Sequence, residues 1–233
     1  MSLMLWRSAL RRVLPRSLAL AARQEWIARR VASGRPGYHD WDVQLLPRLV
    51  KPGDVCWDIG ANAGAYTLPM ARLGARVYAF EPVPHSRRTL ERAVRLACVS
   101  NVSVLPLALS DRHGPARMSV PVEGFYGGFY MAALDDGGEV EVEVTTIDRL
   151  VESGIPLPDF IKCDVEGAEG RVLDGAAGLL ARHRPILLLE TFEEEIFQRV
   201  RSLGYTAHVY VGHLELQPVT TRTQARNYIF LPA

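Results

Sequence analysis

Val55-Cys56-Trp57-Asp58-Ile59-Gly60-Ala61-Asn62-Ala63-Gly64 is an apolar run that ends in an acid and a glycine-spaced turn. Two later stretches have the same form. Arg76 to Phe80 leads into Glu81-Pro82, and Ile161-Lys162-Cys163 leads into Asp164-Val165-Glu166-Gly167-Ala168-Glu169. Each reads as a buried parallel strand whose carboxyl end carries polar groups, and in open α/β sheets ligands bind along that edge.

Around these anchors, helical periodicity over residues 40–50, 65–73, 84–99, 147–153, 168–181 and 193–203 alternates with strand-like runs at 55–59, 76–80, 102–109, 160–164 and 186–190. Alternation of this kind predicts a mostly parallel sheet covered on both faces. Residues 205–211 and 228–231 follow each other without a helix between them, which predicts an antiparallel hairpin at the sheet edge. Residues 116–122 and 139–145 alternate apolar and polar, the pattern of a half-exposed antiparallel pair. Between them lies the loop Gly124-Phe125-Tyr126-Gly127-Gly128-Phe129-Tyr130, a candidate lid or a plain surface hairpin. The expected fold is therefore doubly wound α/β. It has a mostly parallel, seven-stranded Rossmann-like sheet, a C-terminal antiparallel hairpin and a small β insert between strands 3 and 4.

The 233 residues suit one such domain with a small appendage. Gly34-Arg35-Pro36-Gly37 is the first punctuation and separates residues 1–36, a basic amphipathic helical segment, from a domain over 37–233. Residues 1–35 hold eight arginines and the single acid Glu25, a charge of +7; with +1 overall, the rest carries −6. A negative main domain argues against a nucleic-acid groove. Leu3, Trp6, Leu10, Val13 and Leu14 recur at helical spacing before Pro15. Such a helix can pack on the domain, pair subunits as a homo-oligomer, or make peripheral contact with an anionic membrane through residues 1–35. The pair Arg11-Arg12 resembles an export signal only faintly, because the apolar stretch after it is cut short by Arg23 and Glu25. No run approaches the roughly 18 apolar residues of a membrane span. Three cysteines without metal spacing, two of them inside apolar runs, fit buried thiols in a reducing, cytoplasmic setting.

The chemistry lies at the strand ends. In Asp58-x-Gly60-x-Asn62-x-Gly64 the glycines permit a tight turn and close backbone approach, and Asp58 can meet a cationic ligand group. Glu81, at the tip of the next strand, can accept both hydroxyls of a ribose. Nicotinamide enzymes use the same pair, but their turn reads G-x-G-x-x-G and position 62 here is asparagine. In Lys162-x-Asp164-x-Glu166 the alternation sends three charges to one side, which is costly at a buried strand end without partners or a ligand. A structural ion pair through Lys162 is the competing explanation. Glu190 and His85 are weaker candidates at other strand exits. Asp164, Glu166 and Glu190 together lack dedicated metal-ligand spacing, so no metal is expected.

These residues also carry a family resemblance. Asp58-Ile-Gly-Ala-Asn-Ala-Gly64, Phe80-Glu-Pro82, Leu109-Ser-Asp111, Thr145-Thr-Ile-Asp148 and Asp159-Phe-Ile-Lys-Cys-Asp-Val-Glu-Gly-Ala-Glu169 stand in the order that resembles FkbM-type methyltransferases, class I enzymes using S-adenosylmethionine. The resemblance spans residues 50 to 193. It implies that Asp58, Gly60, Asn62 and Gly64 hold the methionine end of the cofactor, Glu81 its ribose, and Ser110 and Asp111 the adenine. Asp164 and Glu166 would face the methyl group and the acceptor, with Asp164 the first choice of base, Glu166 the second, and Lys162 orienting one of them. The expected activity is O-methylation of a small-molecule hydroxyl, on a sugar or a polyketide-like metabolite. A nicotinamide-dependent oxidoreductase and a non-catalytic, membrane-associated cofactor-binding protein are the alternatives.

Overall fold

The computed structural model describes residues 16–34, 41–120, 133–134 and 137–233. Residues 1–14, expected to be helical, and the glycine-aromatic loop 124–130 lie outside the described residues. In chain order the elements are α1 (Arg16–Ala32), a 3-10 turn (Trp41–Leu45) running into α2 (Leu46–Leu49), β1 (Val55–Ile59), α3 (Thr67–Arg72), β2 (Arg76–Phe80) and α4 (Pro84–Ala97). Then come β3 (Val102–Leu105), β4 (Leu107–Leu109), β5 (Gly114–Ser119), β6 (Ala133–Leu134), β7 (Val140–Thr145), α5 (Ile147–Glu152) and β8 (Phe160–Cys163). The chain ends with α6 (Glu169–Asp174), α7 (Ala177–Arg182), β9 (Ile186–Glu190), α8 (Glu194–Ser202), β10 (Tyr205–Gly212), β11 (Glu215–Val219) and β12 (Asn227–Pro232).

The main sheet has the order β11-β10-β12-β9-β8-β1-β2-β3. The five strands β9, β8, β1, β2 and β3 are parallel neighbours, and β12, β10 and β11 extend the sheet by antiparallel pairing. Alternate residues of the central strands enter two cores. Trp57, Ile59, Ile161, Leu187 and Leu189 face the helices that supply Leu173, Leu179, Phe197 and Val200. Cys56, Val77, Phe160 and Leu188 face Leu45, Leu46, Leu49 and Met70. This double burial explains why β8 and β9 read as nearly continuous apolar runs. Cys56 and Cys163 are buried as expected, and burial pushes the Cys56 thiol up to about 12.

The architecture differs from expectation in three places. Among the described residues the main sheet has eight strands, not seven: β11 is the addition and pairs with β10 through a two-residue turn. His213 and Leu214 both take left-handed backbone there (φ 52° and 63°), the geometry of a tight hairpin turn without its usual Asn-Gly signature. Pro218 interrupts the apolar pattern of β11 but is tolerated because that strand is the sheet edge. Residues 102–109 are not one strand. Pro106 divides them, so that β3 joins the main sheet while β4 joins a second sheet of order β4-β7-β5-β6. The expected β5–β7 pairing is present inside that four-stranded sheet. Finally, the helix expected over 168–181 breaks at Gly175, where a Cβ would stand 2.0 Å from the Ser110 carbonyl oxygen.

Candidate functional site

β1 and β8 are adjacent and in register, with Asp58 beside Lys162. Their side chains therefore share a face at the carboxyl end of the sheet. Asp58 is completely buried and Lys162 is 5% exposed, so two opposite charges have been taken out of water side by side. Lys162 donates from Nζ to Asp164 Oδ2 at 3.0 Å and stands 5.1 Å from the centre of the Tyr66 ring. Burial works against the ammonium, but Asp164 and then Asp58 outweigh it and its pKa lies above the usual lysine value. Burial likewise raises the Asp58 carboxyl, and Lys162 and the Thr67 hydroxyl offset only part of this. Thr67 Oγ1 donates to Asp58 Oδ2 at 2.5 Å. Asp58 Oδ1 is buried and has no hydrogen-bond partner among the described residues. An acceptor left unmatched in this way costs about 1–3 kcal/mol, so it marks a place where a donor belongs.

The glycine turn has a role the sequence did not reveal. Gly60 sits at φ +77°, and a Cβ there would lie 1.9 Å from the Asp164 carbonyl oxygen. Gly64 (φ +95°) would place a Cβ 2.6 Å from Leu90. Both glycines let the turn close against the protein's own β8 exit and α4. The amides of Gly60 and Ala61 donate to the Phe80 carbonyl, each at 3.1 Å, which ties the turn to β2. Gly60→Ala combines a forbidden backbone region with a backbone clash and should cost about 2–3 kcal/mol. A urea midpoint unchanged from the wild type would contradict that packing.

Glu81 follows β2 directly and is 5% exposed. Its Oε2 accepts from the Asn62 amide and its Oε1 from the Val83 amide, both at 2.8 Å. Asn62 adopts φ 48° so that its amide reaches this carboxylate. Burial raises the Glu81 carboxyl to about 7 despite the two amides and Lys162. Each oxygen keeps a lone pair for an outside donor.

On the other side of β1, the segment after β8 forms a loop. Asp164 is pinned by its amide bonding to the Ile59 carbonyl at 3.1 Å, and its side chain is 29% exposed. Glu166 takes left-handed backbone (φ 53°). Glu169, which sequence reasoning gave no role, holds the loop closed by accepting from the Val165 and Gly167 amides. Glu166, Gly167, Glu169, Glu190 and Phe192 line a cleft of about 230 Å³. Burial first, then Asp164 and Glu190, raise the Glu166 carboxyl. Burial and Asp164 likewise raise Glu190, which ion-pairs with Arg226 at 2.6 Å. Arg226 in turn lies over the half-exposed Phe192 ring, 5.6 Å from its centre. Among the described residues, no three His, Cys, Asp or Glu side chains gather as a metal-binding group.

Asp58, Gly60, Asn62, Gly64, Glu81, Lys162, Asp164 and Glu166 thus converge on adjacent strand ends. Ser110 and Asp111 directly follow β4, which belongs to the second sheet. The Ser110 amide bonds to the Thr145 carbonyl at 2.9 Å and the Ser110 hydroxyl to Asp111 at 3.0 Å. The His85 ring nitrogen meets Gln24 of α1 at 2.8 Å. Tyr66, Thr67, Phe192 and Arg226 were missed. A hydroxyl residue opening the helix after the glycine turn was the available signal for Thr67. Nothing local marked Arg226, 36 residues beyond the acid it pairs with.

A family model for the methyltransferase FkbM domain matches residues 58–210, from the buried Asp58 to the third-last strand. The chain belongs to the FkbM methyltransferase family. It is 32% identical over 141 residues to the hexuronic acid methyltransferase AglP of Haloferax volcanii, covering 59% of this chain and 56% of that protein. It is also 32% identical over 160 residues to the 31-O-demethyl-FK506 methyltransferase FkbM of Streptomyces tacrolimicus, covering 54% of this chain and 60% of that one. The matched stretches thus span less than two thirds of either curated relative. The crystal structure of an FkbM methyltransferase from Methylobacillus flagellatus shares the fold, with a TM-score of 0.51 at 16% identity over 90% of this chain and 59% of that one. In this family setting, the strand-end acids and the glycine turn belong to the segment that defines the match.

Proposed function

We propose that this chain is an S-adenosylmethionine-dependent O-methyltransferase whose acceptor is a hydroxyl of a sugar or secondary metabolite. The observation that carries the reading is the Asp58 oxygen, buried and without a donor beside the glycine turn of a methyltransferase-family chain. A cofactor with a cationic amine, a ribose and a sulfonium suits the donor set. Asp58 and the turn from Gly60 through Asn62 to Gly64 would hold the amino-acid end, and the free lone pairs of Glu81 would take the ribose hydroxyls. Ser110 and Asp111 keep their assignment beside the adenine on resemblance alone. When bound, that cofactor supplies an electrophilic methyl group. Asp164 takes the acceptor's proton as its oxygen attacks, Lys162 positions that carboxylate, and Glu166 holds the acceptor in the cleft. The two curated relatives name a hexuronic acid and an O-demethyl compound, which supports an oxygen acceptor on a small molecule.

Calorimetric titration tests the cofactor. S-adenosylhomocysteine should bind and NAD should not; no binding of S-adenosylhomocysteine at millimolar concentration would end the proposal. The titration should also depend on pH. Glu81 has its carboxyl raised to about 7, and ribose hydroxyls donate best to its ionised form. Binding therefore favours loss of a proton, and affinity should rise as pH increases from 5.5 to 8. Glu81→Gln should weaken binding about tenfold at pH 8 and flatten this rise, since a neutral amide cannot gain charge. A slope retained in the variant would assign the pH dependence elsewhere, with Asp58 the next group to test.

A further inference from the structure

Helix α1 is a third layer on the fold. Its Ala28 packs with Leu68 and Ala93, and its Gln24 reaches the ring and the carbonyl of His85. Glu25 is held by Arg92 at 2.8 Å and by Arg29 at 2.7 Å, and first Arg92, then Arg29, lower its carboxyl to about 2. The one acid of residues 1–35 is therefore already matched by cations. Arg72 reaches the Ala32 carbonyl and so secures the other end of α1.

With that face committed, the opposite face is fixed in orientation. It presents Leu18, Ala21, Ala22, Trp26 and Arg29, with Leu18 55% and Trp26 51% exposed. Arg30 lies over the Trp26 ring, 5.5 Å from its centre. An exposed tryptophan and leucine set among arginines is the composition of a helix that lies in a membrane interface, with rings at headgroup depth and cations on lipid phosphates. The charge asymmetry points the same way. Residues 1–35 carry +7 and the rest of the chain −6. An anionic surface therefore attracts this end of the protein and repels the remainder, which orients the molecule as well as binding it.

We infer that the outer face of α1 docks the protein on an anionic lipid bilayer, with Trp26 and Leu18 entering the interface and Arg29 and Arg30 meeting the headgroups. Gln24 lies against His85, in the first turn of the helix that follows β2, so α1 packs beside the carboxyl end of that strand. This inference does not rest on the methyltransferase assignment.

The test is flotation of the full-length protein with two kinds of vesicle, pure phosphatidylcholine and phosphatidylcholine with 30% phosphatidylglycerol as about a third of the lipid. Binding is expected to the anionic vesicles alone and to disappear at roughly 0.5 M salt. Each cation near such a surface contributes about fivefold in partitioning. Arg29→Glu/Arg30→Glu should therefore lower binding by about 25-fold or more, and Trp26→Ser should lower it several-fold. S-adenosylhomocysteine affinity or, should that ligand not bind, an unchanged circular-dichroism melt verifies that each variant is folded. Equal flotation with both vesicle types, no flotation with either, or a folded Arg29→Glu/Arg30→Glu variant that floats like the wild type would each overturn the inference. So would a gel-filtration shift from dimer to monomer in Trp26→Ser without any vesicle binding, because a second copy would then cover this face.

Discussion

Lys162→Met should destabilise the protein by about 3–5 kcal/mol at pH 8, the range for removing one partner of a buried ion pair. Lys162 is buried on β8 with Asp58 in register on β1 and Asp164 at 3.0 Å. Asp164 can turn toward water, because its side chain is 29% exposed. Asp58 cannot, since it is fully buried and already has one oxygen without a donor. Without the ammonium, the Asp58 carboxylate would stand uncompensated and take up a proton more readily, so its already raised pKa moves further up. An acid whose folded pKa is raised weighs against folding at pH above its unfolded value, and more so until the folded value is passed. The stability deficit of Lys162→Met should therefore shrink from pH 8 to pH 5. Asp58→Asn added to Lys162→Met should recover much of the loss at pH 8. Chemical denaturation of the three variants at both pH values measures this. A double variant no more stable than Lys162→Met would show that the lysine matters through Tyr66 packing or Asp164 alone.

The same strand pair shows what was legible in the sequence. Asp58, Glu81 and Lys162 were found because parallel strands buried on both faces are written as apolar runs, and a charge at the end of such a run stands out. The family match over residues 58–210 begins at the first of them. What escaped was set by tertiary contact. Gly175, where the helix ends, has no room for a side chain beside the Ser110 carbonyl and gives its own carbonyl to the Asp148 amide, contacts that no local propensity records. β12 inserts between β10 and β9, so strands consecutive in the chain need not reveal the order in the sheet. Pro106 splits a run whose apolar residues otherwise read as one strand, so that β4, which leads into Ser110 and Asp111, belongs to the second sheet. Gly60 has a further use that its neighbours in sequence do not show. Its freedom serves contact with the Asp164 backbone, and through that contact the turn at β1 and the acid loop after β8 become one rigid unit.

That rigidity distinguishes the two candidate bases, and Asp164→Asn should reduce turnover by about 10²–10⁴-fold while leaving S-adenosylhomocysteine affinity within about threefold. Asp164 has its amide bonded to Ile59, its carbonyl against Gly60 and its carboxylate held by Lys162. A proton acceptor placed this firmly loses little to misalignment as the acceptor oxygen attacks. Glu166 is instead carried on a left-handed residue in a loop closed by Glu169, lining the cleft with Glu190 and Phe192. Its carboxyl is raised, first by burial and then by Asp164 and Glu190. Glu166→Gln keeps the hydrogen-bonding shape of that side chain and should act mainly on KM for the acceptor, by about tenfold, with a smaller loss in kcat. Single-turnover rates at saturating acceptor separate the two effects. Turnover retained in Asp164→Asn and lost in Glu166→Gln would exchange the roles, making Glu166 the base and leaving Lys162–Asp164 as the ion pair that fixes the loop beneath it.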